Sequence, residues 1–236
     1  MGIISRLYFE KGETAIANAV DLAPNSDLLG NGVSLEGFIE RYEREILNKL
    51  FGYDLYSQFK LQFDIDPATG VWTLKGAATG TQWDWLLNGY EYTQDGIKVK
   101  WQGLIFSDGG TDNSVKQSLI AYYVYTKFIE ATAFQNTGVG MSASRSKNGT
   151  RVDANADVAL AYNDFYALAI GSNYNQYNVL YNGGIYQYEG YYSGLLQGNG
   201  YKSLYDFIND MNVLDPTNFE NWTPSYSFKP KNRLGL

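Results

Sequence analysis

At 236 residues and 26.5 kDa the chain can bury a sizeable core, while 18% charged residues and a net charge of -7 argue against non-specific nucleic-acid binding, which depends on many Lys and Arg contacts with phosphate. With no His and no Cys, it has no Ser-His-Asp or Cys-His nucleophile system, no His or Cys zinc site and no disulfide framework. The 21 Tyr and 25 Gly favour extensive, partly wet interfaces, because Tyr offers a large contact area with a polar tip and little rotamer entropy to lose.

The start, MGIISRLYFEKGE, lacks the hydrophobic region of a signal peptide, and Arg6 stands where a myristoylation motif wants Ser or Thr. No stretch approaches the roughly 18 apolar residues of a membrane span, so a soluble chain without a membrane partner is expected. Residues 1–33 read as an N-terminal segment closed by the turn-rich APNSDLLGNG. Ser34 then caps a helix over Leu35 to Phe51, with Ile39, Tyr42, Ile46 and Leu50 as its apolar stripe and Gly52 at the left-handed position that ends it. A shorter helix follows over Asp54 to Gln62.

The stretch DIDPATG reads as a turn, and VWTL as a possible strand. Asp64 and Asp66 invite a calcium reading, but the remaining ligands of an EF-hand loop are missing, so neither a metal nor any other cofactor is expected. Trp83 to Asn88 suggests a short helix with Trp83, Leu86 and Leu87 turned inward. Asp95-Gly96 marks a hairpin turn between Tyr90 to Thr93 and Ile97 to Trp101, where Ile97, Val99 and Trp101 alternate with Lys98 and Lys100.

The segment Asp112 to Thr137 carries the clearest helical pattern. Its apolar arc is wide, and Lys116, Lys127 and Glu130 fall in one narrow strip, which predicts either the central helix of a bundle or one whose outer flank another subunit covers. The polar loop after it holds only Arg145, Lys147 and Arg151 as charges; it is either a solvated loop or one that meets an acidic neighbour in an assembly. Asp153 caps a further helix, with Val158, Tyr162, Phe165 and Ala169 as its stripe, and the spacing of Ile170, Tyr174, Tyr177 and Tyr181 extends it to about Leu180.

Residues 183–200 form a Tyr/Gly-rich insertion, GGIYQYEGYYSGLLQGNG, costly to order alone and adhesive when a partner is offered, with Tyr188, Tyr191 and Tyr192 as its candidate contacts. Ser203 to Met211 is a short amphipathic helix. Residues 212–236, with three prolines, read as an extended C-terminal tail whose Trp222, Tyr226, Phe228 and Arg233 dock on a neighbouring subunit or partner, or on the chain's own domain, unless the tail is disordered. The fold expected from these elements is mainly α, a helical bundle over 34–211 with an inserted β-hairpin near 90–101 and the extended tail.

The segments FIERYEREILNKLFGYDLYSQF, GYEYTQDGIKVKWQGLI, SLIAYYVYTKFIEATAFQNTGVG and LYDFIND resemble, in the same order, a family encoded in phages and prophages of Bacteroidetes whose members look like head-tail connector, or adaptor, proteins. The resemblance covers roughly Leu35 to Asp210 and is a pattern of apolar and aromatic positions, not a catalytic signature. It implies a mainly helical adaptor-like domain and a structural, non-enzymatic virion protein at the head-tail junction, assembled in the host cytoplasm. Its implied partners are further copies of itself in a portal-proximal ring, dodecameric like the portal, together with the portal protein and other tail or ring proteins. DNA would pass through the channel without specific binding, as an acidic subunit permits. The Tyr/Gly-rich insertion and the aromatic tail depart from the shorter family pattern and are compatible with additions for a crAss-like phage, whose tails carry several stacked rings.

Two other classes compete. Tyr, Trp, Asn and Gly also build sugar platforms, which points to a carbohydrate-binding protein. A glycosidase working through two carboxylates needs no His. Sequence alone does not place two acids at the separation that such an enzyme requires.

Overall fold

The computed structural model describes residues 2–17, 19, 34–68, 70–94, 96–105, 116, 118–137, 140–143, 154–170, 180–181, 184–185, 201–224 and 228–229. Over these the protein is mainly helical with a β-hairpin. Helix α1, Leu35–Lys60, opens with Ser34 accepting the Gly37 N–H and bends at Gly52, whose φ of 72° and ψ of 174° are closed to residues with a Cβ. The two expected helices are thus one rod with a corner. Its buried face, Leu35, Phe38, Ile39, Ile46, Leu47, Leu50, Leu55 and Phe59, includes Ile39, Ile46 and Leu50 of the predicted stripe, while Tyr42 is half-buried, and it continues past the corner. Strand β1, Phe63–Ile65, then pairs antiparallel with β2, Trp72–Leu74, and Asp66 accepts the Ala68 N–H inside the connecting turn. That carboxylate serves the turn.

Helix α2, Gln82–Asn88, begins at Thr81 and buries Trp83, Leu86 and Leu87 as the pattern predicts. Strands β3, Tyr90–Gln94, and β4, Ile97–Trp101, form the expected hairpin, with Gly96 at φ 80° in its turn. Trp101 and Val99 face inward, whereas Lys98 is exposed. The hairpin folds back on α2 through Leu104 N–H to Leu86 C=O and Ile105 N–H to Leu87 C=O, both 3.1 Å. A Cβ on Gly103, at φ 97°, would lie 2.6 Å from the Leu87 carbonyl oxygen, so this backbone crossing requires glycine.

Helix α3 spans Leu119–Ala133, not 112–137. Ser118 sets its start: the hydroxyl accepts the Ile120 N–H and donates to the Leu104 carbonyl, while the Ser118 carbonyl takes the Tyr122 N–H. Lys116 therefore lies ahead of the helix, over the Tyr8 ring, and the expected charged strip reduces to a half-buried Lys127–Glu130 pair at 2.8 Å. At the other end, strand β5, Phe134–Thr137, pairs with β6, Gly140–Ala143, so a ladder replaces the last helical turn and the start of the predicted polar loop. Six consecutive α3 residues, Leu119 to Val124, are buried, as a helix packed between α1 and α4 requires.

Helix α4 is Ala154–Ala169. Phe165 is fully buried against Tyr123, a contribution of about 2–3 kcal/mol from its apolar area alone. At the far end of the predicted continuation, residues 180–181 are not helical but strand β7, Leu180–Tyr181, paired with β8, Gly184–Ile185. Ile170 is already a turn residue ahead of Gly171, and Tyr174 and Tyr177 of the predicted extension lie outside the described residues.

Strand β9, Tyr201–Lys202, joins β4 in parallel and completes a three-stranded sheet. Helix α5, Leu204–Leu214, is capped by Ser203, buries Leu204, Phe207, Ile208 and Met211, and runs three residues past the predicted end. The tail is not extended from residue 212. Pro216 opens the short helix α6, Pro216–Phe219, because a proline at the first helical turn loses no hydrogen bond. The segment before α1 also belongs to the core, through Ile4, Tyr8, Phe9 and Ile16.

Candidate functional site

Of the residues singled out as partner contacts, Arg145, Lys147, Arg151, Tyr188, Tyr191, Tyr192, Tyr226 and Arg233 lie outside the described residues. Trp222 and Phe228 lie inside them, and each packs on its own chain. Trp222 sits 4.5 Å from Phe219 and 4.9 Å from Trp83, and Phe228 meets Phe165 edge-on at 5.3 Å. Asn212 donates to the Trp222 carbonyl at 3.2 Å and fixes the chain there. Trp222 and Phe228 thus dock on their own domain.

Around Trp222 the fold leaves an open groove of about 700 Å³ that sequence patterns did not indicate. One wall is the second half of α1, where Asp54 and Gln58 stand one turn apart; the other is α6 and the residues after it, Asn218, Glu220 and Asn221. Gln82, Trp83 and Trp222 form the floor. Trp83 is 9% and Trp222 4% exposed, so neither ring offers the free face on which a sugar would stack. Outside the lining, Leu61, three residues after Gln58, is 69% exposed, and Tyr53 at the bend is 78% exposed. Among the described residues, the lining holds two acids, Asp54 and Glu220, and no Lys or Arg.

Two buried carboxylates, also missed, do structural work. Asp210 on α5 accepts from the Tyr92 hydroxyl at 2.7 Å, from the Gln94 amide and from Lys202 at 3.1 Å, so it joins β3, β9 and α5 in one network. Burial and this hydrogen bond raise the Tyr92 hydroxyl far above its ordinary range, which keeps it a donor. Glu43 on α1 accepts the N–H groups of Ile3 and Ile4, each at 3.0 Å, and thereby pins the N-terminal segment. Burial pushes its carboxyl up to about 7 against the lowering effect of those two hydrogen bonds. A signal for Glu43 was available, since it lies four residues after Ile39 and three before Ile46, within the apolar stripe. At the α1–α3 contact, Tyr123 donates to Glu45 at 2.7 Å, and Lys49 reaches both.

Among the described residues, no helix is long and apolar enough to cross a membrane. Among the same residues, no group of three or more acidic side chains is placed to hold a metal ion. In comparisons with known proteins, no family model, no curated protein and no solved structure matched the chain.

Proposed function

We propose that this protein is a structural ring subunit of a phage head-tail connector, an adaptor that binds the portal and links capsid to tail around the DNA channel. The observation that carries the reading is that the segments resembling the connector family, α1, the β3–β4 hairpin, α3 and α5, contribute to a single hydrophobic core. They form one scaffold in the order that the resemblance requires. Exposed Tyr53, Leu61 and Val213, the last 81% exposed, add apolar surface of the sort a subunit covers on assembly. In this reading the protein performs no reaction, its partners are its own copies, the portal and adjacent tail or ring proteins, and it resides in the virion.

The test is the mass of the purified protein, alone and mixed with portal, by native mass spectrometry. Closed rings, dodecameric on a dodecameric portal, are the expected species. A strict monomer in both conditions overturns the reading. In a map of the assembled particle, a channel wall lined with basic side chains would contradict passage of DNA without holding it.

A further inference from the structure

We propose that the groove between α1 and α6 receives the basic segment 229–236 of a second copy of the chain. The inference rests on the ring reading and names the joint that it needs. Segment KPKNRLGL brings Lys229, Lys231 and Arg233 and no acidic side chain, although the whole chain has a net charge of -7. The groove lining is its complement: Asp54 on one wall, Glu220 on the other, and no Lys or Arg among the described residues. Amide side chains at Gln58, Gln82, Asn218 and Asn221 can donate to and accept from the peptide groups of an extended strand.

A second copy is favoured over the chain's own segment by the path of the backbone. The chain leaves the groove at Trp222, and six residues later Phe228 is held on Phe165 of α4. The segment therefore starts on α4, no described residue of which lines the groove. Eight extended residues give the segment a reach of at most about 28 Å toward an adjacent copy in a ring.

The test places a photo-crosslinking amino acid at Asn232 in the full chain and mixes light and ¹⁵N-labelled protein under the conditions in which the protein assembles with portal. Mass spectrometry then identifies the joined peptides. The expected products are mixed-isotope pairs that link residue 232 to 54–58 or 217–221, reduced at least tenfold by the double substitution Asp54→Lys, Glu220→Lys and recovered when Lys231→Glu, Arg233→Glu is added. Asp54 and Glu220 are exposed, so these changes leave the core intact. Single-isotope products without mixed pairs, which mean docking within one chain, overturn the inference, as do crosslinks to another surface. The mass of the assembly is read separately. Rings whose crosslinks lie elsewhere sink the groove and spare the connector reading, whereas monomers with portal sink both.

Discussion

The two halves of the core are held in different ways. Around α3 the contacts with α1 and α4 are apolar and run along helices, with polar bonds such as Tyr123 to Glu45 confined to the margin. Around the sheet, segments more than a hundred residues apart meet: Tyr92 and Gln94 bond to Asp210, Lys202 pairs with the same carboxylate, and Trp101 stacks on Phe207 at 5.8 Å. Helix-on-helix packing tolerates small adjustments, but a buried carboxylate with three partners is satisfied in one geometry only. The sheet half therefore fixes register, and the helical half supplies bulk.

The largest test of that contrast is Trp101→Ala. The ring is fully buried and its indole N–H donates to the Leu86 carbonyl at 3.1 Å, so the substitution is expected to cost about 3–5 kcal/mol in denaturant unfolding. Hydrogen exchange should locate the damage in β3, β4 and α5 while α3 and α4 keep their protection. Equal loss in both halves would show that they are one cooperative unit. Asp210→Ala comes next, at about 2–3 kcal/mol, because it strips partners from Tyr92, Gln94 and Lys202 together. A double-mutant cycle with Lys202→Ala should give a coupling well above that of an exposed ion pair such as Lys100–Glu91. Gly103→Ala, at about 1–3 kcal/mol, probes the backbone crossing that docks the hairpin on α2, and its effect on the melting temperature should exceed that of alanine at exposed Gly76, where a Cβ meets nothing.

The same contrast explains what could be read in advance. Features encoded within a few residues were legible: the Ser34 cap, the Ile39–Ile46–Leu50 stripe, the break at Gly52, the inward face of α2 and the Asp95-Gly96 hairpin. Features made by distant partners were not. Nothing in Tyr201-Lys202 announces a parallel strand beside β4, and nothing in DPTNFENW shows that proline will start a helix and tryptophan will return to Trp83. The groove is illegible for the same reason, since its walls come from 54–58, 82–83 and 217–222. Where α3 ended too soon, local periodicity was present but a strand ladder competed for the same residues and won.

The smallest expected effect concerns pH and sharpens the contrast from the helical side, where the buried carboxylate is Glu43. Its carboxyl is raised to about 7 in the folded protein from an unfolded value of 4.5, so between those two values the native state holds a proton that the unfolded chain has released. The stability that this proton contributes is complete below about pH 4.5 and is lost as pH rises through about 7. Asp164 on α4, raised to about 7 by burial and by the charge of Glu13, tilts the curve in the same direction. Stability measured from pH 4.5 to 7.5 should therefore fall with pH, and Glu43→Gln should remove part of the slope, leaving the share due to Asp164. The amide that this substitution introduces keeps a carbonyl to accept one of the Ile3 and Ile4 N–H groups, so the variant should fold while holding the N-terminal segment less firmly. An unchanged slope in the variant would place the proton uptake elsewhere and leave Glu43 as a clamp without a titration.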